Sequence, residues 1–451
     1  MAKRRKRKAL SPELPHRITV REITGVPLYV FILLAVLGTA IYSNSFDCSF
    51  QFDDHSNITN NETLQNIGNV KGIWNRGYHG KLRFIGFYSF ALNHHFNGVN
   101  VFGYHLVNIA IHITVSMLVW WFVTLILSTP AMRESRLSKG RDIIAFACAV
   151  MFLTHPLQTQ AVTYIVQRFA SLASLFYLLT LCLYLKARFV TTRKHALLLF
   201  AASVATAFAG FLTKEIAFTL PFALILIELC FMQVGETSIF LNRRFLLIYG
   251  LPFVLIGVVL PTTLFLYSYN LSEVFLAVSS DRARDPLLTQ PIYLMTQFKV
   301  ILLYLKLLFV PVGQNIDPDV PASISLFEPA TLAGLCVIAM CLIGSLVLFT
   351  KNRLVSFGIL FFFLTLSVES SIKPLRNVMA EHRLYMPLIG FNLVVISALY
   401  NLLWKKHSKL IIGVFIALIA FYSVLTFQRN RVWKITRKGA NLQQSWRIII
   451  S

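Results

Sequence analysis

The sequence predicts an all-α polytopic membrane protein, on the basis of three observations. Of its 451 residues, 56% are hydrophobic and only 14% are charged. The mean hydropathy is +0.66, a balance that soluble globular domains do not have. The hydrophobic residues also fall into repeated runs, many of them long enough to cross a bilayer core of about 30 Å as a helix.

The formal net charge of +23 is explained by topology and not by nucleic acid. The cations lie mostly between apolar runs, where lysine and arginine hold loops in the cytoplasm and face anionic lipid. No nucleic-acid-binding motif accompanies them. Residues 1–22 are therefore predicted to be a basic cytoplasmic tail, and the apolar run after it a retained anchor, because no small-residue cleavage site follows.

Apolar runs and basic loops together predict about eleven spans, with the amino terminus inside and the carboxyl terminus outside. We expect the spans at about 28–42, 101–127, 143–153, 172–185, 196–212, 217–232, 246–267, 330–349, 354–368, 387–403 and 410–427. The run 292–310 is interrupted by Lys299 and Lys306, and the positive-inside rule favours a re-entrant or interfacial segment there. The basic residues after Phe427 argue against an outer carboxyl terminus.

The longest polar connection, residues 47–101, is predicted to be the first outer loop. Within it Leu64, Ile67, Val70 and Trp74 recur at helical spacing. This spacing predicts an amphipathic helix lying on the outer membrane surface.

The adjacent carboxylates Asp53 and Asp54 lie where the first span meets this loop. Acid is scarce in the chain, with 19 Asp and Glu in total, so its placement is informative. A carboxylate beside an extracytoplasmic pocket is suited to act as a general base on an acceptor hydroxyl. The alternative is that the pair only forms a turn or a helix cap.

In the predicted topology the unusual polar residues collect at the outer face, whereas the inner loops hold little except lysine and arginine. Ionisable groups at membrane depth are costly and indicate function. Arginine pairs with phosphate in a bidentate way and lysine as a point charge. The outer group comprises Asp53, Asp54, Arg83, His105, His155, Gln158, Arg168, Lys214, Glu215, Asp317, Asp319, Glu381, His382 and Arg383.

Several of these residues also have a structural interpretation. His105, Asn108 and His112 share one helix face, and packing between helices is favoured there. The pair His155-Pro156 alternatively only ends a span, and both Lys214-Glu215 and the stretch 381–383 alternatively form internal ion pairs. A divalent metal is weakly indicated, because Asp53, Asp54 and His55 are too close in sequence to complete a site alone.

No ATP or soluble nucleotide sugar is expected outside the cytoplasm, so the energy for a transfer must reside in the substrate. A lipid-linked donor with a polyprenyl-phosphate leaving group meets that need. The partners predicted from this chemistry are the donor, a hydroxyl acceptor on a protein or glycan, and the lipid bilayer.

Several short stretches of the sequence resemble the membrane domain of the transmembrane, tetratricopeptide-repeat O-mannosyltransferases and their bacterial relatives. These enzymes belong to the glycosyltransferase-C (GT-C) superfamily. The resemblance covers nearly the whole membrane part, in the family's order and spacing, and is strongest at 381–387. It is carried by Phe52-Asp53-Asp54, Phe102-Gly103-Tyr104-His105-Leu106-Val107-Asn108, His155-Pro156-Leu157-Gln158-Thr159-Gln160-Ala161-Val162 with Arg168, Thr213-Lys214-Glu215 and Glu381-His382-Arg383-Leu384-Tyr385-Met386-Pro387.

The resemblance implies a GT-C-type fold of about eleven helices, a lipid-phosphate-sugar donor and an inverting transfer with an aspartate base. Either Asp53 or Asp54 would be that base. Arg168, Lys214, His382 and Arg383 would lie on the side of the donor phosphate.

The chain departs from the family after its membrane domain, which we place at residues 23–428. Family members usually continue into tetratricopeptide repeats that hold protein acceptors. Here the stretch 429–433 resembles the start of that domain, but the chain ends at Ser451, which is too short for one repeat. We therefore expect the membrane domain, the first loop or a partner protein to capture the acceptor.

Two other functions are weighed against the glycosyltransferase. A polymerase or ligase of lipid-linked polysaccharides would tend to use a large late outer loop, and a transporter or flippase would place charges near the bilayer midplane. A bacterial inner membrane is the predicted location. The sequons at Asn57, Asn61 and Asn270 matter only if the outer side is an endoplasmic reticulum lumen.

Overall fold

A computed structural model of the chain describes residues 26–75, 81–232, 251–255, 289–370, 375 and 377–434. Over these ranges the protein is helical and contains no strand. The long helices are α1 (Leu28–Tyr42), α2 (Phe84–Asn97), α3 (Val101–Leu127), α4 (Arg141–Thr154), α5 (Arg168–Phe189), α6 (Arg193–Phe211), α7 (Leu220–Ile227), α8 (Gln290–Phe309), α9 (Pro329–Lys351), α10 (Arg353–Leu366) and α11 (Pro387–Asn430).

Local sequence accounts for where several helices begin. The Asn100 side chain accepts the N–H of Phe102 at the start of α3, and α8, α9 and α11 each have proline in the first turn, where its missing N–H costs nothing. Shorter helical turns complete the connections, at Ser43–Ser45, His55–Thr59, Glu62–Leu64, Val70–Trp74, Ser138–Gly140, Pro156–Gln158, Thr159–Val162, Ile165–Gln167, Glu215–Thr219, Glu228–Met232, Leu251–Val254, Glu381–Leu384 and Arg431–Lys434.

The prediction of an all-α polytopic membrane protein is confirmed. Within the described ranges, 8 helices are long and apolar enough to cross a membrane, or up to 9 if the bent pair Ser138–Thr154 and Pro156–Val162 forms one span. The predicted span 354–368 corresponds to α10, which has 14 residues. The basic tail, most of the span 246–267 and the sequon at Asn270 lie outside the described residues, and the number of about eleven spans stays a prediction.

The last long helical element reverses direction at His407. Pro387–Lys434 has 48 residues and would extend about 70 Å if straight, twice the thickness of a bilayer core. The backbone at His407 is not helical. Tyr400 lies against Gly140 at the start of α4, whereas the Thr426 hydroxyl donates to the carbonyl of Thr154 at the end of α4 (2.7 Å). The two halves are therefore antiparallel, in agreement with separate spans at 387–403 and 410–427.

The connections between helices separate onto two ends of the bundle. At one end, which we call the site end, the Asn44 side chain bonds to Phe427 and the N–H of Ile85 bonds to Leu212. At the opposite end Arg353 donates to Cys230. We define the site end as residues 43–75, 81–100, 155–167, 212–219, 367–370, 377–386 and 427–434. Ten of the fourteen polar residues predicted for one membrane face belong to it, whereas His105, Arg168, Asp317 and Asp319 lie in other segments.

Helix α8 contacts the site end along its whole length. The Tyr293 hydroxyl donates to the carbonyl of Glu369 (3.1 Å), and the Tyr304 hydroxyl to that of Ala380 (3.0 Å). Near the end of α8, the carbonyl of Leu308 lies 3.2 Å from His155 Nε2. These contacts support the interpretation of this run as re-entrant or interfacial, although its length and composition would also permit a span.

The first loop has its own small hydrophobic core at the site end. Leu64, Ile73, Phe90, Tyr164 and Trp433 are among its buried members. In place of one amphipathic helix over 64–74 the structure has two short helical turns, because the side chains of Asn61 and Asn69 each cap a separate turn. The long helix of this loop is α2, and it follows the predicted position.

Candidate active site

Asp54 is buried and connects the first loop to the residues just before α5. Its side chain is 1% exposed. One carboxylate oxygen accepts the N–H of Gln51 (2.9 Å) and the other accepts the N–H of Val166 (2.7 Å). Both oxygens are thus used to hold the backbone, and the carboxylate is closed to an acceptor.

Asp53 has the opposite environment. It is exposed, and its carboxylate accepts no hydrogen bond from any described residue, whereas its backbone N–H donates to the Tyr164 hydroxyl (2.9 Å). The preceding Phe52 has a φ of 42°, a left-handed conformation that costs free energy in a bulky residue. The turn therefore presents a free carboxylate from a fixed and strained backbone.

The protonation of Asp54 also argues against its use as a base. Burial raises the pKa of Asp54 to about 8, although the N–H groups of Gln51 and Val166 oppose this shift. A carboxyl group that retains its proton near neutral pH is a poor general base. Asp53 is therefore better placed than Asp54 to accept a proton.

Residues in the connection between α4 and α5 bond both to the aspartate turn and to the stretch 381–383. Tyr164 and Val166 hold the aspartate turn, and the Gln160 side chain accepts the N–H of His382 (2.7 Å). Gln160 and Tyr164 are four residues apart, so their Cα atoms are at most about 15 Å apart. The aspartate turn and the stretch 381–383 therefore belong to one region.

Three cations from distant parts of the chain converge at the site end. We call Arg83, Lys214 and Arg383 the cation cluster. Lys214 Nζ lies 2.7 Å from a carboxylate oxygen of Glu369, with both side chains largely buried. Arg83 makes a two-point ion pair with Glu215, at 3.1 and 3.0 Å. Arg383 instead donates to the carbonyls of Asn377 and Val378.

The cluster controls the protonation of its neighbours. Burial and the positive charges hold the pKa of His382 well below its ordinary value, so the ring is neutral. Burial alone would raise the pKa of Glu369, but the same charges lower it, and its carboxyl group is ionised. Burial would lower the pKa of Arg383, but nearby Tyr304, Tyr293 and Glu369 raise it. The region is suited to bind an anion.

Arg168 is fully buried, and each of its three guanidinium nitrogens donates a hydrogen bond. Its guanidinium donates to the Asn108 side chain (2.6 Å), to the carbonyl of Tyr104 (3.0 Å) and to that of Ser89 (3.2 Å), and it lies over the Phe90 ring. The structure therefore does not bring Arg168 to the cation cluster. A contact with donor phosphate would require it to leave these partners.

The remaining predicted histidines hold backbone at the site end. His105 Nε2 donates to the carbonyl of Cys48 (2.8 Å). His155 accepts the N–H of Leu157 through Nδ1 and donates to Leu308 through Nε2. His112 bonds to the Tyr385 hydroxyl (2.8 Å) through Nδ1 and donates to the carbonyl of Leu153 (3.2 Å) through Nε2. These contacts agree with the packing interpretation of the polar stripe on α3.

Glu381 faces the last helix and not the cluster. It accepts a bond from Gln314 Nε2 (3.0 Å) and lies 3.6 Å from Arg429. Burial raises its pKa to about 6, against the opposing charge of Arg429. Gln158 is buried as well, and its side-chain nitrogen makes no hydrogen bond with any described residue.

Four site residues escaped the sequence analysis. Glu369 directly follows the predicted span 354–368 and is not among the predicted site residues, although the scarcity of acid could have singled it out. Tyr164, Asn430 and Trp433 have no sequence signal for their role. Trp433 stacks on Tyr164 with ring centroids 5.0 Å apart, and Asn430 bonds to Thr163, Ile41 and Asn44.

Metal-ligand geometry is not found in the described residues, where no group of three or more His, Cys, Asp or Glu is placed to hold an ion. No family model matches the chain, and no solved structure matches it.

Comparison with curated proteins finds relatives along the chain. It is 33% identical over 165 residues to protein O-mannosyl-transferase TMTC2 of Homo sapiens, covering 34% of this chain and 18% of that protein. For TMTC4 of Homo sapiens the identity is 26% over 176 residues, covering 36% and 23%. For TMTC3 of Homo sapiens it is 25% over 456 residues, covering 92% and 47%.

The chain thus spans less than half the length of these relatives. Because the match to TMTC3 covers most of this chain, the resemblance predicted from the scattered motifs is confirmed. The chain is homologous to the protein O-mannosyl-transferases TMTC2, TMTC3 and TMTC4.

Proposed function

We propose that this chain is a membrane glycosyltransferase that moves a sugar from a polyprenyl-phosphate-linked donor to a hydroxyl acceptor. The observation that carries the proposal is the free Asp53 carboxylate, held at the same end of the bundle as the cation cluster. Homology to proteins named O-mannosyl-transferases supports it. It also makes mannose and protein hydroxyls the first substrates to test.

Asp53 acts as the general base in this proposal. The acceptor oxygen attacks the anomeric carbon of the sugar while Asp53 takes the proton of the acceptor hydroxyl. The bond between the anomeric carbon and the phosphate oxygen breaks, and its electron pair leaves with the lipid phosphate. Attack from the face opposite the leaving group inverts the anomeric configuration. Asp54 acts indirectly, by fixing the turn.

The donor phosphate binds at Lys214, His382 and Arg383. The cluster supplies positive charge where negative charge develops on the leaving group. Phosphate would offset the cations that keep His382 neutral, so its pKa would rise and its second nitrogen could donate. We assign Arg168 to holding the start of α5, because three oxygens already occupy its guanidinium.

The site end faces away from the cytoplasm in a GT-C-type fold of about eleven spans. The first-loop helix on the outer surface would be α2, which packs against the aspartate turn through the loop core. The bacterial inner membrane predicted from the sequence stays a prediction, with the endoplasmic reticulum as the alternative.

The test is sugar transfer from synthetic polyprenyl-phosphate mannose in membranes that contain the wild type, Asp53→Asn or Asp54→Asn. We expect Asp53→Asn to lower the rate by about 10² to 10⁴ while leaving the unfolding temperature unchanged. Asp54→Asn should lower both, because its amide nitrogen would face one of the two N–H donors and leave it unpaired.

An active Asp53→Asn variant would remove the base assignment. Absence of transfer by the wild type, together with movement of the intact donor across the bilayer, would favour the transporter alternative. Extension of a lipid-linked glycan in place of transfer to a hydroxyl peptide would favour the polymerase alternative.

A further inference from the structure

Glu369 is the carboxylate that pairs with Lys214 of the cation cluster. Its carboxylate lies 2.7 Å from Lys214 Nζ, and the two side chains are only 13% and 7% exposed. The cluster faces both Glu369 and His382, since its charges act on the pKa of each. One carboxylate of the chain thus fills an anion site built from three separate segments.

The formal charges around Glu369 would allow an anionic ligand to replace its carboxylate. Arg83 is already paired with Glu215, whereas Arg383 donates only to carbonyl and phenol oxygens. Among the described residues, the three cations of the cluster face the two carboxylates of Glu215 and Glu369, which leaves one positive charge. A phosphodiester carries a single negative charge, as a carboxylate does, and lysine pairs with either as a point charge. Replacing one by the other changes no formal charge in the cluster.

The local structure permits the side chain to move while the backbone stays in place. Glu369 lies in the turn after α10, where its N–H and that of Ser370 both bond to the carbonyl of Leu366. The Tyr293 hydroxyl holds the Glu369 carbonyl from α8. The contact that would be lost on exchange is therefore the pairing of the carboxylate with Lys214.

We propose that Glu369 is an internal counter-anion, which neutralises Lys214 in the empty site and yields it to the phosphodiester of a lipid-linked sugar. This inference rests on the proposed function. A buried ammonium without a partner is costly, so Glu369 stabilises the empty site. Its return to Lys214 after the transfer would help to release the lipid phosphate.

The test measures binding of synthetic polyprenyl-phosphate mannose to the full chain in nanodiscs. We expect Glu369→Gln to bind the donor about tenfold more tightly than the wild type, because the competing carboxylate is gone. The matched control is Glu215→Gln, which removes the same charge from the same cluster but pairs with Arg83, and its effect should be clearly smaller. In a Lys214→Met background, Glu369→Gln should change the affinity little.

Equal effects of Glu369→Gln and Glu215→Gln would reduce the result to net charge and overturn the proposal. Unchanged or weaker binding by Glu369→Gln would overturn it as well. Misfolding is checked by comparing unfolding temperatures with that of Glu369→Asp, the variant that keeps the charge. If neither the wild type nor Glu369→Gln binds the donor, the proposed donor site fails and this inference fails with it. If the wild type binds and Glu369→Gln binds no better, only the counter-anion fails.

Discussion

Two adjacent aspartates have been separated into different tasks by their surroundings. Asp54 gives both oxygens to backbone N–H groups and is buried. Asp53 keeps its carboxylate free at the surface, and Tyr164 anchors its backbone. Tyr164 in turn stacks on Trp433, so the helical turn after α11 supports the turn that presents Asp53. At the scale of residues, Asp53 is thus available for chemistry, whereas its neighbour Asp54 holds the backbone in place.

The Asp54 environment predicts how stability depends on pH. Its folded pKa of about 8 lies above the value of 3.8 for an unperturbed Asp, so the folded state holds this proton more tightly than the unfolded state does. Its contribution is complete below about pH 4 and is lost as the pH rises toward 8. We expect the unfolding temperature in detergent to fall between pH 5 and pH 8. Asp54→Asn should flatten this slope, whereas Asp53→Asn should keep it; an unaltered slope in Asp54→Asn would contradict the assignment.

At the scale of elements, α10 and α11 meet backbone to backbone through two glycines. A Cβ at Gly390 would lie 2.5 Å from the carbonyl oxygen of Gly358 and 2.9 Å from the nitrogen of Phe362. Backbone atoms cannot yield as side chains do. This close crossing brings the end of α10, and with it Glu369, near the stretch 381–383 that precedes α11.

The crossing predicts a contrast between two glycines of the same long element. Gly390→Ala should destabilise the protein by about 1–3 kcal/mol through overpacking and should weaken donor binding. Gly413→Ala is the matched control, since its Cβ would meet no atom within 4 Å, and alanine favours a helix. Thermal unfolding measures both; equal stability of the two variants would show that the helices are not in close contact at Gly390.

At the scale of the whole molecule, the bundle has a site end and an opposite end. The reversal at His407 returns the chain to the site end, where the carbonyls of Asn430 and Trp433 accept bonds from Cys48 and Gln51 of the first loop. Arg136, in the connection between α3 and α4, instead bonds to Asn401 at the opposite end. Lys434, the last described residue, accordingly lies 3.6 Å from Asp47 at the start of the first loop.

This arrangement predicts the sides from which single cysteines react with a membrane-impermeant maleimide. In a background without the native cysteines, Asn60→Cys and Lys434→Cys should react from one side of sealed vesicles. Lys406→Cys should react from the other side, because the exposed Lys406 precedes the reversal. Reaction of all three from the same side would contradict the two-ended bundle. Reaction of Asn60→Cys from the cytoplasmic side would place the site end opposite to our proposal.

The sequence by itself determined the class of fold, the position of most helices and the end at which the polar residues collect. These features follow from hydropathy and charge, which are local: an apolar run must be helical in a bilayer, and its flanking charges set its direction. The resemblance to the O-mannosyltransferases was available for the same reason, because its motifs lie in short continuous stretches.

Only the tertiary structure decided which carboxylate is free, that Arg168 is enclosed and that Glu369 belongs to the site. Each depends on partners far away in the chain, as Asp54 depends on Val166 and Lys214 on Glu369. Burial and pairing set the charge and accessibility of a side chain, and neither is encoded near the residue itself. For this reason the sequence could name the pair Asp53 and Asp54, but only the packing around Tyr164 and Val166 separated them.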